Sequence, residues 1–203
     1  MAAESHWQAL LDWWFGSSLD AVEVSEQRNS LWFGKSACQD VDSENRFGGL
    51  VRQALDGGGL EDWAEEPQGW LALILLLDQL PRMIFRDSPR AYAGDARAQQ
   101  LVRRGLEAGF DRKLPRIERV FVYIVLEHAE DLASQDEAVR LYEALQAESS
   151  DREKVLFAGY LAYARKHQAV IARFGRFPHR NAILGRPCSD EETQFLTEPG
   201  SRF

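Results

Sequence analysis

The residues best suited to binding an anion lie in the stretch 172–186, which reads ARFGRFPHRNAILGR. Its charged and titratable members are Arg173, Arg176, His179, Arg180 and Arg186. Arginine guanidinium groups match carboxylates and phosphates through paired hydrogen bonds, and histidine exchanges protons near neutral pH. The stretch therefore predicts one of three arrangements: an anion site, ion pairs with acidic residues elsewhere in the fold, or a solvated charged surface.

The charged residues around this stretch are all positive. Residues 154–189 contain seven lysines and arginines and no acidic residue, although the whole chain has a formal net charge of −8. Positive charge complements the dipole at the carboxyl end of a helix, but that effect accounts for one or two arginines rather than four. Gly175 and Pro178 favour a fixed turn, which would hold the charged groups in one geometry.

A second candidate group lies in LLLDQLPRMIFR, residues 75–86. Asp78 follows the most apolar run of the chain, so its carboxylate is expected to be buried and to need a partner. Arg82 stands four residues later, within reach across one helical turn, and Arg86 stands one further turn along. Two interpretations stay open: a structural ion pair between helices, or a pair that lines a ligand pocket.

A third candidate group lies in LEHAEDLASQDE, residues 126–137, at the predicted junction of two helices. A histidine oriented by a carboxylate can act as a general acid or base, so the catalytic candidates are His128, Asp131 and His179. Histidine and carboxylate side chains also suit zinc or manganese, but the spacing matches no metal-binding signature. We therefore predict neither a metal nor another cofactor.

Composition restricts the class of protein. The chain has 203 residues, of which 45% are hydrophobic and 28% charged, as is typical of a single soluble domain over residues 1–203. The negative net charge argues against nonspecific nucleic-acid binding. The longest apolar run, residues 70–77, is much shorter than the roughly 20 residues that span a bilayer, so no membrane partner is expected. Two widely spaced cysteines and an amino-terminal stretch unlike a signal peptide predict a cytoplasmic location.

Apolar periodicity predicts an all-α fold of about eight helices, with no strand. The predicted helices follow one another through short polar turns, which indicates antiparallel pairs in a solenoid-like stack or an irregular bundle. Residues 17–40 are predicted to be irregular, and Pro81 is predicted to break or kink a helix over 67–80. Three capping boxes predict helix starts, namely Ser134 with Glu137, Ser150 with Glu153, and Ser189 with Glu192.

These segments together resemble a bacterial family known as Domain of Unknown Function 924. The resemblance rests on LLLDQLPRMIFRDSPRAYAGDARA, EHAEDLASQ and KHQAVIARFGRFPHRNAILGR, and the WFG near the start and the final EETQFL also fit. It covers nearly the whole chain. It implies an all-helical, tetratricopeptide-like fold, and it implies no particular activity because none is established for the family.

The motifs of that family fall on the candidate residues chosen above. They correspond to Asp78, Gln79, Pro81, Arg82, Phe85, Arg86, Glu127, His128, Asp131, Gln135 and residues 173–181. The sequence departs from the family at Met83 and Asp87, and it has VYIVLEHAED where a proline-bearing version is common. None of these departures removes a candidate residue.

We expect the three segments to converge on one mixed-charge concave site. Its ligand-binding residues would be Asp78, Arg82, Arg86, Arg173, Arg176, His179, Arg180 and Asn181. The predicted ligand is an anionic small molecule or peptide. Two alternatives stay open: a hydrolase or transferase that uses a His–Asp pair in this site, and a purely structural Arg–Asp–His network with the function on another surface.

Overall fold

The computed structural model describes residues 7–201, and these form helices without any strand. The ten α-helices are α1 (Gln8–Phe15), α2 (Ala21–Phe33), α3 (Ala37–Leu55), α4 (Pro67–Leu77), α5 (Gln79–Ile84), α6 (Asp95–Glu107), α7 (Arg116–Glu127), α8 (Leu132–Ala147), α9 (Lys154–Phe174) and α10 (Asp190–Phe195). Short 3-10 helices cover Glu61–Glu65, Pro89–Tyr92, Asp111–Lys113 and Pro178–Arg180. The all-α prediction is confirmed, with more helices than the eight expected.

Helix α4 is the centre of the hydrophobic core. Its residues from Leu71 to Leu77 have no exposed surface, and the helix packs against α3, α5, α6 and α7. A helix that is apolar on every side must be surrounded by other elements, which explains why its sequence lacks amphipathic periodicity. Helices α6, α7 and α8 each pack against the next helix along the chain, so that α9 packs against α8. The tetratricopeptide-like superhelix stays a prediction.

The break between α4 and α5 falls at Asp78 rather than at Pro81. Asp78 has φ −116° and ψ −54°, and Pro81 is the third residue of α5. Proline is tolerated in the first turn of a helix because the amide hydrogens there have no partner within the helix. The chain therefore restarts its helix before Pro81, and Asp78 occupies the junction.

Residues 17–40 were predicted to be irregular, and this is wrong. Helix α2 occupies most of this range, and the carboxylate of Asp20 caps it by accepting from the backbone amides of Val22 and Glu23. Helix α3 then begins at Ala37, inside the range that was predicted to be irregular. The apolar pattern of α2 is weak because it buries few large side chains, chiefly Leu31 and Trp32, so its periodicity gave no signal.

The predicted capping boxes have three different outcomes. Ser189 and Glu192 form the box that begins α10, as expected. Glu153 accepts from the Ser150 amide, but α9 starts only at Lys154. Ser134 does not cap α8; Asp131 does, by accepting from the Ser134 amide. The Ser134 amide is therefore bound by the carboxylate of Asp131, three residues upstream, rather than by the side chain of Glu137.

A small second cluster of apolar residues holds the carboxyl end of α9. It comprises Val170, Ile171 and Phe177, with Phe174 and Phe195 packed against it. Gly175 ends α9 in the left-handed conformation, with φ 68°, and the chain turns there into the Pro178–Arg180 helix. This turn directs Arg180 back toward the end of α7. Within residues 7–201, no helix has the length and apolar character needed to cross a membrane.

Gly94, the residue before α6, is expected to tolerate no side chain. A Cβ there would overlap the carbonyl oxygen of Leu77 and lie 2.9 Å from its carbonyl carbon, and backbone atoms cannot rotate away. We expect Gly94→Ala to lower the free energy of unfolding by about 1–3 kcal/mol, measured by urea denaturation. Gly159→Ala is the control, because a Cβ in that part of α9 meets nothing within 4 Å. Equal stability of the two variants would show that the contact is not restrictive.

Candidate functional site

Asp78 is the acidic centre of the site. Its side chain has no exposed surface, and its carboxylate contacts the Arg82 guanidinium at 3.2 Å and accepts from the side chain of Gln79. Burial opposes the charge on Asp78, but Arg82 and His128 outweigh it and hold the pKa of the carboxyl below its ordinary value. Asp78 is therefore a buried carboxylate that stays ionised.

Arg82 connects this junction to the start of α6. It donates to both oxygens of Asp95, at 2.8 and 2.9 Å, and to the backbone carbonyl of Asp78 at 2.7 Å. Its guanidinium also lies 5.3 Å from the ring centre of Tyr92. Such fork-to-fork pairing fixes the orientation of an arginine as well as its charge. The donors of Arg82 are thus engaged within the protein.

His128 contacts the same carboxylate from the end of α7. Its Nδ1 lies 2.8 and 3.0 Å from the two oxygens of Asp78, and 14% of the side-chain surface is exposed. Burial and the positive charge of Arg82 lower the pKa of His128, although Asp78 opposes them. The imidazole is uncharged at neutral pH and is oriented by a buried carboxylate.

Arg180 completes the group. It donates to the backbone carbonyl of His128 at 3.0 Å, lies 3.7 Å from Asp95, and stacks on the rings of Tyr92 and Phe177 at 4.9 and 4.5 Å. The residue is 6% exposed, and its buried Nε has no hydrogen-bond partner among residues 7–201. Burial, followed by repulsion from Arg82, lowers the pKa of Arg180 to about 10.

We name this group the arginine–histidine cluster: Asp78, Arg82, Tyr92, Asp95, His128 and Arg180. Two further basic groups, His179 and Lys35, lie beside it. Burial and then Arg180 and His128 lower the pKa of His179 to about 3, and the charge of exposed Lys35 acts in the same direction. Burial and these positive charges therefore keep the imidazole of His179 uncharged at neutral pH.

Several predicted site residues lie outside the cluster. Arg86 pairs with Asp40 through two hydrogen bonds of 2.8 and 2.7 Å, and Asp131 caps α8. Arg173 pairs with Glu191 and lies over the Phe174 ring. The predicted meeting of all three segments therefore involves Asp78, Arg82, His128 and Arg180, with His179 beside them, and excludes the others.

Arg176 and Asn181 hold the last helix in place. Arg176 donates to both carboxylate oxygens of Glu192, at 2.6 and 2.8 Å, and Glu192 also completes the capping box that Ser189 begins at α10. Asn181 accepts from Arg186 at 3.0 Å and donates to the sulfur of Cys188. These contacts stabilise the carboxyl-terminal segment and leave neither side chain in the cluster.

The sequence analysis missed Tyr92 and Asp95, and it missed the role of Glu130. Asp95 is the first residue of α6 and pairs with Arg82. Glu130 accepts from the Phe177 amide at 2.8 Å and from Arg186 at 2.9 Å, which fixes the turn that carries Arg180. The signal for Asp95 was its place in AYAGDARA, within a segment already singled out.

A buried pair of titratable groups lies next to the cluster. Glu127 and His167 are 3% and 5% exposed, and Oε2 of Glu127 lies 3.3 Å from Nδ1 of His167. Burial raises the pKa of Glu127 to about 8 and lowers that of His167 to about 3. Both groups are therefore uncharged at pH 7, so their contact is not an ion pair.

A separate groove of about 820 Å³ lies between α6 and α8, over α7. Apolar residues such as Leu106, Tyr123 and Leu141 line it, and Arg119 and Arg140 on its sides pair with acidic neighbours. It does not include the arginine–histidine cluster. We place the candidate site at the cluster because a buried charge without its full set of hydrogen bonds indicates a ligand more specifically than volume does.

Among residues 7–201, no three His, Cys, Asp or Glu side chains are grouped closely enough to hold a metal ion. Within the arginine–histidine cluster, Nε of Arg180 is the buried donor that has no hydrogen-bond partner among residues 7–201, and such a donor suits an anion.

Comparison with known proteins decides the family. The model for a family described as bacterial protein of unknown function (DUF924) matches residues 10–200. The chain belongs to this family. A solved structure, that of the protein of unknown function ATU0120 from Agrobacterium tumefaciens, is 34% identical with a TM-score of 0.73. The match covers 89% of this chain and 100% of that one. No curated protein matches the DUF924 chain.

Proposed function

We propose that this DUF924 protein binds the anionic group of a small molecule or peptide at Arg180. The observation that carries the proposal is the state of this guanidinium: 6% exposed, with one hydrogen bond to a backbone carbonyl and a buried Nε that has no partner in residues 7–201. Leaving such a group unsatisfied is costly, and a carboxylate or phosphate oxygen would satisfy it.

The surroundings of Arg180 favour an anion. Its nearest acid, Asp95, gives its two best hydrogen bonds to Arg82 and stays 3.7 Å from Arg180. Stacking on Tyr92 and Phe177 holds the guanidinium plane in one orientation. A preordered arginine loses little entropy on binding, and each charge-assisted hydrogen bond to a ligand contributes roughly 1.5–3 kcal/mol.

The test is stabilisation by anions. We expect phosphate or a small carboxylate at about 100 times its Kd to raise the unfolding free energy by about 2.7 kcal/mol, measured as a rise in Tm at constant ionic strength in chloride. Arg180→Gln should abolish this rise. Arg173→Ala is the matched control, because Arg173 belongs to the same basic stretch but pairs with Glu191 at the surface and should leave binding unchanged.

Two results would contradict the proposal. One is a wild-type protein that no phosphate or carboxylate stabilises beyond chloride. The other is an equal loss of binding in Arg173→Ala and Arg180→Gln, which would indicate a diffuse effect of net charge rather than a site at Arg180.

A second candidate is a structural role for the charged residues of the three segments, with the function on another surface. The observation that favours it is that Arg82, Arg86 and Arg176 each make two hydrogen bonds to one internal carboxylate. The groove between α6 and α8 would then be the place for a ligand. Loss of stability without any anion binding in the cluster variants would favour this alternative.

A further inference from the structure

The hydrogen on His128 has a fixed position. An ionised carboxylate can only accept hydrogen bonds, so the contacts of 2.8 and 3.0 Å from Asp78 require the hydrogen to lie on Nδ1. Arg82 and Gln79 bind the same carboxylate and keep it in this geometry. In an uncharged imidazole the other nitrogen, Nε2, is then a hydrogen-bond acceptor.

Several charged and titratable groups face the imidazole from the elements around it. Asp78 lies at the α4–α5 junction and Arg82 in α5. His179 and Arg180 lie in the 3-10 helix Pro178–Arg180. Glu127 lies in α7 and His167 in α9. The ring of His167 lies 6.4 Å from that of His128, and both histidines are uncharged at pH 7. The two arginines therefore oppose a positive charge on His128, which preserves Nε2 as an acceptor.

The residue that carries this acceptor is also the residue whose backbone Arg180 binds. The Arg180 guanidinium binds the backbone oxygen of His128 itself, at 3.0 Å. Nε2 makes no hydrogen bond with any residue from 7 to 201, and the His128 side chain is 14% exposed. A ligand that binds Arg180 and reaches this imidazole would meet donors at the first residue and an acceptor at the second.

We propose that His128 makes the anion site selective for oxyanions that carry a hydrogen, namely the monoanions of inorganic phosphate and of phosphate monoesters, over sulfate and carboxylates. This inference rests on the proposed anion site at Arg180. Bare phosphate oxygens accept from Arg180, while a P–OH group of the monoanion donates to Nε2 of His128. Sulfate and carboxylates are fully ionised at neutral pH, so their oxygens would face the lone pair of Nε2 without a hydrogen between them.

In this site His128 determines specificity and Asp78 is a positioning residue. Asp78 acts only through His128, by fixing which nitrogen carries the hydrogen. No covalent bond changes on binding, since the hydrogen stays in the O–H···N hydrogen bond between ligand and imidazole. Loss of the Asp78 carboxylate would let the imidazole exchange tautomers and so would weaken the preference for phosphate.

The experiment compares inorganic phosphate with sulfate and acetate by isothermal titration calorimetry at pH 6.5, where phosphate is mostly a protonated monoanion. We expect wild-type protein to bind phosphate at least about tenfold more tightly than sulfate, the effect of one hydrogen bond to a charged partner. His128→Phe keeps a ring but removes the acceptor, and it should bind phosphate and sulfate with similar Kd. The surface variant Arg173→Ala should keep the preference.

A measurement on the unaltered protein covers the case in which His128→Phe does not fold. In an imidazole ¹⁵N spectrum, Nδ1 of His128 should carry the hydrogen, and phosphate but not sulfate should shift the Nε2 resonance. Binding of sulfate as tight as that of phosphate would overturn the selectivity and leave the Arg180 site intact. Preference for phosphate that persists in His128→Phe would also overturn it. Binding of no anion at all would remove the proposed function and this inference together.

Discussion

Asp78→Ala is expected to lower the free energy of unfolding by about 3–5 kcal/mol, the usual cost of removing one partner from a buried charged network. The carboxylate has no exposed surface, and its loss leaves Nδ1 of His128 and the Gln79 amide without their acceptor. It also leaves Arg82 with one carboxylate where it had two. Urea denaturation followed by circular dichroism measures the change.

The matched control is Asp40→Ala. Asp40 also binds an arginine through two short hydrogen bonds, but its side chain is 21% exposed and that of Arg86 is 31% exposed. Partly solvated pairs contribute little, so this variant should lose less than about 1 kcal/mol. If Asp78→Ala yields no folded protein, Asp78→Asn, which keeps the shape, provides the measurement. Equal, small losses at the two positions would show that the buried network does not support the fold.

The contacts that the sequence could predict are the local ones. Asp78 and Arg82 are four residues apart, so helix geometry alone brings them together. Burial of Asp78 followed from the apolar run before it, and the resulting need for a partner pointed to the arginines of residues 173–186. Arg180 does reach this network, although through the backbone of His128 and through Asp95 rather than through Asp78 itself.

The contacts that the sequence could not predict depend on how turns pack. Arg82 binds Asp95 because Gly94 lies against the carbonyl of Leu77, and that close approach sets where α6 begins. No periodicity encodes such an approach. Tyr92, from the 3-10 helix before Gly94, consequently lies beside both arginines. Asp95 and Tyr92 thus complete the cluster, and their positions there depend on tertiary packing alone.

The arginines of the basic stretch also show why charge density is a weak guide to a site. Arg173 and Arg176 pair with successive glutamates of α10, and Arg186 pairs with Glu130. The acidic residues that neutralise Arg173 and Arg176 follow the stretch closely in sequence. Arg180 differs from the other three arginines of the stretch. The turn at Gly175 and Pro178 buries it at a place where the nearest carboxylate, that of Asp95, already accepts hydrogen bonds from Arg82. Function is therefore inferred from the pairing of each residue rather than from the charge of the segment.

The second large effect concerns Glu127, whose ionisation opposes folding. Its pKa is raised to about 8 in the folded protein from an ordinary value of 4.5, first by burial and then by the charge of Asp78. Between those two pH values the unfolded chain releases a proton that the folded protein keeps, so stability falls as pH rises. The cost reaches about 3 kcal/mol at pH 7, at 1.36 kcal/mol for each pKa unit. Glu127→Gln cannot ionise and should escape this cost.

We therefore expect Glu127→Gln to gain stability relative to wild type as pH rises from 5 to 8, by about 3 kcal/mol or roughly 6–12 °C in Tm. Thermal unfolding at several pH values measures the difference between the two curves. Ionisation of Asp78 cancels in that difference because both proteins contain it. If the two curves were parallel, with the same offset at every pH, the substitution would have altered only the packing around Tyr142 and His167. That result would contradict a buried, protonated Glu127. A confirmed pH slope would also show that the surroundings of Glu127, the residue before His128, exclude water.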